Sequence, residues 1–260
     1  MRILFYGDIV GKIGRRVVHD SIKNMIEKYQ IDFVIANGEN ATHGKGLNEN
    51  HYEELLDYGI DAITLGNHYL GKTHIVDYID NADALIRPLN LIKNIGGKGS
   101  RVFDVNGVKI RVTNILGVAF MKEEVIAPYQ ALHELLEDIQ GEDSIHIIDY
   151  HGEATGEKMC FGYVFDGLVS AIVGTHTHVQ TNDEKILDRG TAFITDIGMC
   201  GDYLGVLGFE KTSVINKTVF GSTECFKLND SSKALVNAIV LDIDNSTKKC
   251  KEIFTIKKVI

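Results

Sequence analysis

Five times in this chain an apolar, strand-like run leads straight into residues able to hold a metal ion, and that repetition constrains the fold more than any other feature. The runs are "LFYGD" ending at Asp8, "VIANGEN" at Glu39 and Asn40, "ITLGNH" at Asn67 and His68, "IIDYHGE" with His151, and "IVGTHTH" with His176 and His178. In open α/β sheets ligands gather at the carboxyl ends of the strands, so these runs are expected to bring five polar clusters to one rim. Singly, each has an ordinary reading. Asp8 could cap a helix, Glu39 could be a solvated turn residue, and His151 could be a satisfied core histidine. Read as strand, "HTH" puts His176 and His178 on one side, which suits a shared metal or two surface histidines. Taken together, the ordinary readings require five coincidences. His19, His43, His51, His74, His133 and His146 lack such a setting and are assigned to surface or packing.

Between the runs lie helical patterns over Ile13 to Tyr29, Asn48 to Tyr58, Thr73 to Ile79 and Ala127 to Gln140. Asn106-Gly107 divides "RVFDVNGVKIRVTNIL" into two strands of a hairpin, and "ALVNAIVLDIDNSTKKCKEIFTIKKVI" reads as two antiparallel strands around a polar turn. With only two prolines and no composition break, residues 1–260 are expected to form a single α/β domain with a small excursion around 78–99.

The formal net charge of -9 argues against a broad footprint for duplex nucleic acid, and any anionic substrate needs a local cation. No run approaches the ~18 apolar residues of a membrane span, so a soluble, cytoplasmic protein without a membrane partner is expected. Cys160, Cys200, Cys225 and Cys250 are too scattered for a zinc knuckle or disulfide framework and are expected to be reduced, mostly packing residues.

"LGNHYLGKT" reads in two ways. Gly66, Gly71, Lys72 and Thr73 satisfy the P-loop spacing, with "SIHIIDY" offering Asp149 as its acidic partner, whereas Asn67 and His68 form a G-N-H of the kind that lines dinuclear metal sites. The P-loop leaves Asp8, Glu39, His151, His176 and His178 without a role; the metal reading uses all of them. Oxygen and imidazole donors suit iron, manganese or zinc, and a carboxylate such as Glu39 can bridge two cations ~3.5 to 4 Å apart that clamp a phosphoryl group. Gly44 and Gly46 could bring amides to a phosphate or simply make a turn. Thr155 and Glu157 could orient a ligand or start a helix.

The ordered motifs "GDIVGKIGR", "NGENATHGKG", "LGNH", "DYHGEATGEK", "GTHTHVQTND" and "TDIGM", spanning the first residues to about Gly208, make the chain resemble the YmdB-like branch of the calcineurin-type metallophosphoesterases. The resemblance implies an α/β fold, a two-sheet β-sandwich flanked by helices in α/β/β/α layers. It implies one metal held by Asp8, Glu39, Asn40 and His178 and another by Glu39, Asn67, His151 and His176, with Glu39 bridging. By the same resemblance Asn40 would supply the ligand lost where Ile9 and Val10 follow Asp8, and His68 would stand near the leaving group as general acid. It further implies hydrolysis of 2',3'-cyclic and 3',5'-cyclic nucleotides by a metal-held hydroxide, a regulatory role connected with RNA turnover, and a homo-oligomer. One departure stands out: Tyr69, Leu70, Gly71 and Lys72 follow G-N-H where relatives carry an aromatic and then an acidic residue. That bears on the pocket wall and the substrate preference. Two rivals are weighed beside this reading: two-metal hydrolysis of another bond such as an amide, and a slow or vestigial enzyme acting as a nucleotide or metal sensor.

Overall fold

The computed structural model of the chain describes residues 1–229 and 233–260. In chain order the strands of its first half are β1 (Arg2–Tyr6), β2 (Asp8–Ile9), β3 (Phe33–Asn37), β4 (Ala62–Thr64), β5 (Leu85–Ile86), β6 (Ser100–Val105) and β7 (Val108–Leu116). There follow β8 (Ile145–His151), β9 (Ala171–Thr175), β10 (Lys185–Ile186), β11 (Ala192–Ile194), β12 (Met199–Asp202), β13 (Ala234–Ile243) and β14 (Cys250–Val259). The helices are α1 (Gly11–Tyr29), α2 (Glu49–Asp57), α3 (Ile75–Tyr78), α4 (Pro128–Asp138), α5 (Thr155–Val164) and α6 (Lys211–Thr218).

Alternation along β1 explains the layering. Successive strand residues face opposite ways, so Leu4 and Tyr6 join one core while Ile3 and Phe5 join another. The first core lies under α1 and α2, with Val17, Val18, Ile22 and Leu55. The second lies between two sheets, where Ile3 and Phe5 share a cluster with Val112, Ile147 and Val173. A third, with Ile148, Tyr150, Leu132 and Phe161, lies beneath α4 and α5. The result is the expected two-sheet sandwich flanked by helices.

Among the described residues the first sheet runs β2-β12-β13-β1-β3-β4-β5, with β14 also pairing β13, and the second runs β10-β11-β9-β8-β7-β6. The pairs β1/β3, β3/β4, β7/β8 and β8/β9 are parallel, so their carboxyl ends share one edge of the sandwich. The hairpin forms as read: Asn106 and Gly107 take φ of 54° and 83°, the left-handed pair that such a turn demands. The closing strands β13 and β14 pair antiparallel along their length. Residues 79–99 add β5 to the edge of the first sheet and then cross to the second, where Pro88 bridges Asn114.

Two local expectations change. The helix expected over Thr73 to Ile79 shrinks to the four residues of α3, because hydrogen-bonded turns occupy the chain ahead of it and His74 gives no side-chain cap. Of the cysteines, Cys200 and Cys250 are buried and Cys160 and Cys225 are exposed, so only two serve packing. No helix among the described residues is long and apolar enough to cross a membrane.

Candidate metal centre

The five polar runs converge where the two sheets end. Asp8 opens β2, Glu39 and Asn40 follow β3, Asn67 and His68 follow β4, His151 ends β8, and His176 and His178 follow β9. The strand argument for the last pair fails: β9 stops at Thr175, and His176 and His178 sit in bends with φ of 103° and 66°. A left-handed turn, unfavourable for side-chain-bearing residues, rather than strand alternation delivers them.

Glu39, fully enclosed, stands at the centre. Its Oε1 receives Asn40 Nδ2 at 3.0 Å and lies 3.4 Å from His151 Nε2, while its Oε2 receives the backbone N–H of His68 at 2.8 Å. On one side, His178 Nε2 lies 3.2 Å from Asn40 Nδ2 and 3.7 Å from Asp8 Oδ1. On the other, His151 Nε2 lies 3.0 Å from Asn67 Oδ1 and 3.1 Å from His176 Nδ1. Gly66 keeps this cradle open, since any side chain there would collide with Glu39 and His151. The side chains thus form two groups that share one carboxylate.

The donor set fits cations. Each imidazole ties one nitrogen to an acceptor behind it: His151 Nδ1 donates to Thr175 Oγ1 at 2.9 Å, His176 Nε2 to Glu153 at 3.1 Å and His178 Nδ1 to the Leu207 carbonyl at 3.0 Å. Tied this way, each ring turns its other nitrogen inward, the arrangement metal-bound histidines adopt. Asp8 Oδ1 is buried with no hydrogen-bond partner, which in a native interior calls for an ion or a proton. A half-turn of the Asn40 amide would exchange Nδ2 for Oδ1 between Glu39 and His178, where a cation needs an oxygen. Among the described residues, Glu39, His151 and His176 each offer a ligand atom, all within 4.8 Å of one another.

The electrostatics of the ion-free chain agree. Burial lifts Asp8 to about 6 despite the opposing pull of His178 and His151. Burial would push His151 down, but the Glu39 carboxylate overrides it and raises the ring to about 9. Burial and the neighbouring His151 push His176 down to about 3. Against the cost of burial, His151 and His68 hold Glu39 well below the usual carboxylate range. Without a metal, a proton on His151 relieves the crowd of acceptors; a cation could take its place.

Support comes from residues to which the sequence reading gave no part in a metal site. Asp149, fully buried, accepts hydrogen bonds from Thr175 Oγ1 at 2.6 Å, Thr64 Oγ1 at 2.5 Å and Asn37 Nδ2 at 3.0 Å, thereby fixing the hydroxyl that orients His151. Lys158, buried in α5, donates to the Thr175 carbonyl at 2.7 Å and to Asp196 at 3.0 Å, while Asp196 receives the Thr177 amide at 3.0 Å. This enclosed ion pair clamps the strained turn that carries His176; loss of one partner would strand a buried charge. Lys158 and Asp196 lie inside the quoted "GEK" and "TDIG", but nothing in one sequence pairs residues so far apart.

The P-loop reading fails on the same geometry. A P-loop offers free amides to phosphates, yet here His68 N–H goes to Glu39, Tyr69 N–H to Gly66 at 3.1 Å and Gly71 N–H to His68 at 2.7 Å. Asp149 lies buried behind the site rather than beside the loop. Gly71 instead presses against Gly46, and a Cβ on either would lie 2.6 to 2.8 Å from the other turn's backbone. The Gly44–Gly46 stretch is correspondingly a turn, with Lys45 N–H donating to Thr42 and Gly46 N–H to Glu39. Glu157 accepts the amides of Val118 and Ala119 at 2.9 and 3.3 Å, so it holds a loop, while Thr155 opens α5.

Comparison with known proteins matches this arrangement to one family. The model of the family described as "YmdB-like protein" matches residues 4–256. The chain is 42% identical over 253 residues to the 2',3'-cyclic-nucleotide 2'-phosphodiesterase of Bacillus subtilis, covering 97% of this chain and 95% of that protein. It is 39% identical to a putative phosphatase/phosphodiesterase of Mycoplasma genitalium, covering 100% and 94%. A crystal structure of a novel phosphatase from Mycoplasma pneumoniae superposes with a TM-score of 0.93 at 39% identity, covering 100% of this chain and 93% of the other. On sequence and fold alike, across nearly its whole length, the chain belongs to the YmdB-like protein family.

Proposed function

We propose that this protein is a metal-dependent phosphodiesterase that opens 2',3'-cyclic nucleoside monophosphates, with 3',5'-cyclic nucleotides as a further candidate, and that it uses two transition-metal ions, iron or manganese before zinc. The observation that carries the reading is the pair of ligand groups on either side of Glu39, in which all three imidazoles are braced through one nitrogen and turn the other inward. The B. subtilis relative's name supports the substrate class.

In this reading Asp8, Glu39, Asn40 and His178 hold one ion, and Glu39, Asn67, His151 and His176 hold the other. When bound, such ions polarise phosphoryl oxygens and acidify water. The chain's own contribution is orientation and proton delivery. With the Asn40 oxygen turned toward the ion, His68 Nδ1 keeps Glu39 Oε1 at 3.2 Å as its acceptor, which makes Nδ1 a donor and leaves Nε2 for the cleft. From there Nε2 protonates the ribose oxygen as its bond to phosphorus breaks, while the oxygen of a water forms the new bond to phosphorus. The proton lost by that water returns to solvent, from which His68 is recharged. A general acid of this kind is worth ~10²- to 10⁴-fold.

The test is product release from 2',3'-cyclic AMP, 3',5'-cyclic AMP, an aryl phosphodiester and an aryl amide, with manganese or iron added, by native protein and Glu39→Gln. Diester turnover lost in the variant is expected. Amide hydrolysis without diester hydrolysis would replace the reaction class, and two bound ions without any turnover would favour a sensor.

A further inference from the structure

Beside the candidate centre opens a cleft of about 430 Å³, walled at one end by Asn67, His68 and His176 and at the other by the loop that carries Phe120 and Lys122. Lys45 reaches it from the facing turn, and Glu123 completes the loop wall. The volume falls within the range of small-molecule sites.

Phe120 is the anomaly. It is 88% exposed, more than any other large hydrophobic side chain among the described residues. Its backbone takes φ of 64°, at the third position of a turn closed by Met121 N–H donating to the Val118 carbonyl at 3.2 Å. That position suits glycine or asparagine, and a phenylalanine there is strained. Packing does not explain it, because the ring is unburied. Nor is the loop loose: Glu157 binds two of its amides, and Gly117 N–H donates to the His151 carbonyl at 2.9 Å. A rigid mount tied to the strand that carries His151 thus holds an uncovered aromatic face on the cleft.

Resting on the function proposed above, we infer that Phe120 is a stacking platform for the nucleobase of a nucleotide whose phosphate lies at the Asn67–His68 end, with Lys45 and Lys122 supplying the local positive charge that an acidic protein must provide for an anion. Every base offers a π-face, and purines offer the larger one, so the platform favours purine nucleotides over pyrimidine nucleotides and both over base-free cyclic phosphates.

Steady-state kinetics of the manganese-loaded protein on 2',3'-cyclic AMP, 2',3'-cyclic CMP and glycerol 1,2-cyclic phosphate test this. In Phe120→Ala the ratio of kcat/KM for cyclic AMP over the glycerol compound is expected to fall by about 5- to 150-fold, chiefly through KM, with a smaller fall for cyclic CMP. A loop that merely distorts the site would lower all three alike and leave the ratio unmoved, which overturns the inference. Because the chain has no tryptophan, Phe120→Trp adds a single fluorophore at the platform. Saturable quenching by adenosine 3'-monophosphate but not by glycerol 2-phosphate is expected, and it reads stacking without turnover. Quenching with no hydrolysis of any substrate would keep the platform and sink the proposed reaction; hydrolysis with no quenching and no change in ratio would do the reverse.

Discussion

The two sheets reach the candidate centre with different chemistry. The first sheet's strand ends carry Asp8, Glu39, Asn40 and Asn67, all oxygen donors, together with His68 at the cleft. The second sheet's ends carry His151, His176 and His178, all imidazoles. They are also held differently. The first-sheet groups lean on one another and on nearby amides, as Glu39 does on Asn40 and on the His68 N–H. The imidazoles are braced from behind by Thr175, Glu153 and the Leu207 carbonyl. Neither sheet alone offers a mixed oxygen and nitrogen cage, so the site exists only once the sandwich closes. Glu39 is the member that both groups share.

That comparison can be broken most severely at Glu39. Glu39→Gln is expected to lose more activity than the ~10²- to 10⁴-fold typical of a missing general acid, and to hold fewer than two ions by elemental analysis. His176→Ala, by contrast, should empty only one group and keep one ion per chain. Two ions retained in Glu39→Gln would end the shared-ligand picture.

His68→Ala should cost about 10²- to 10⁴-fold on a diester with a poor leaving group and much less on a nitrophenyl ester, whose leaving group needs no proton. Equal losses on both would remove His68 from proton delivery. Next in size, Thr175→Val takes away the brace of His151 and is expected to weaken metal binding by about 10- to 100-fold by titration, with the far-UV spectrum intact. Thr64→Val, which touches the same Asp149 but no imidazole, should do less; the opposite order would mean that the brace acts through Asp149 alone.

The mildest perturbation is a change of pH, which leaves every side chain in place. Asp8 at about 6 and His151 at about 9 bind protons more tightly in the folded, ion-free chain than when unfolded. Their contribution to stability is therefore present at low pH and lost as pH rises, first through about 6 and then toward about 9. A bound ion replaces those protons, so metal affinity should climb with pH by up to about tenfold per unit for each proton released. The group containing Asp8 should reach full affinity at lower pH than the group containing His151. Isothermal titration across that window in buffers of differing ionisation enthalpy measures the release; a flat profile would show that the acceptors face one another without protons between them.

Much of the fold was legible. Period-2 runs, the Asn106-Gly107 turn and the amphipathic stretch of α1 are local signals, and each is decided by a few adjacent residues. The convergence of five polar runs was legible too, because a parallel strand has only one carboxyl end and the runs all terminate there. The route taken by His176 and His178 was not, since a strained turn depends on Lys158 and Asp196 holding it from elsewhere in the chain. The brace formed by Asp149 was equally hidden: its three partners come from β3, β4 and the end of β9.

By itself, then, the sequence determined the strands and helices, the edge where the site had to form and the mixed oxygen and imidazole chemistry, because periodicity and residue type are properties of short segments. The tertiary structure alone decided which donors share Glu39, which nitrogen of each imidazole turns inward, that Gly71 packs on Gly46 instead of cradling phosphate, and that Phe120 is left uncovered at the cleft. Those outcomes depend on contacts between segments far apart in the chain, and their distances are set only when the two sheets close.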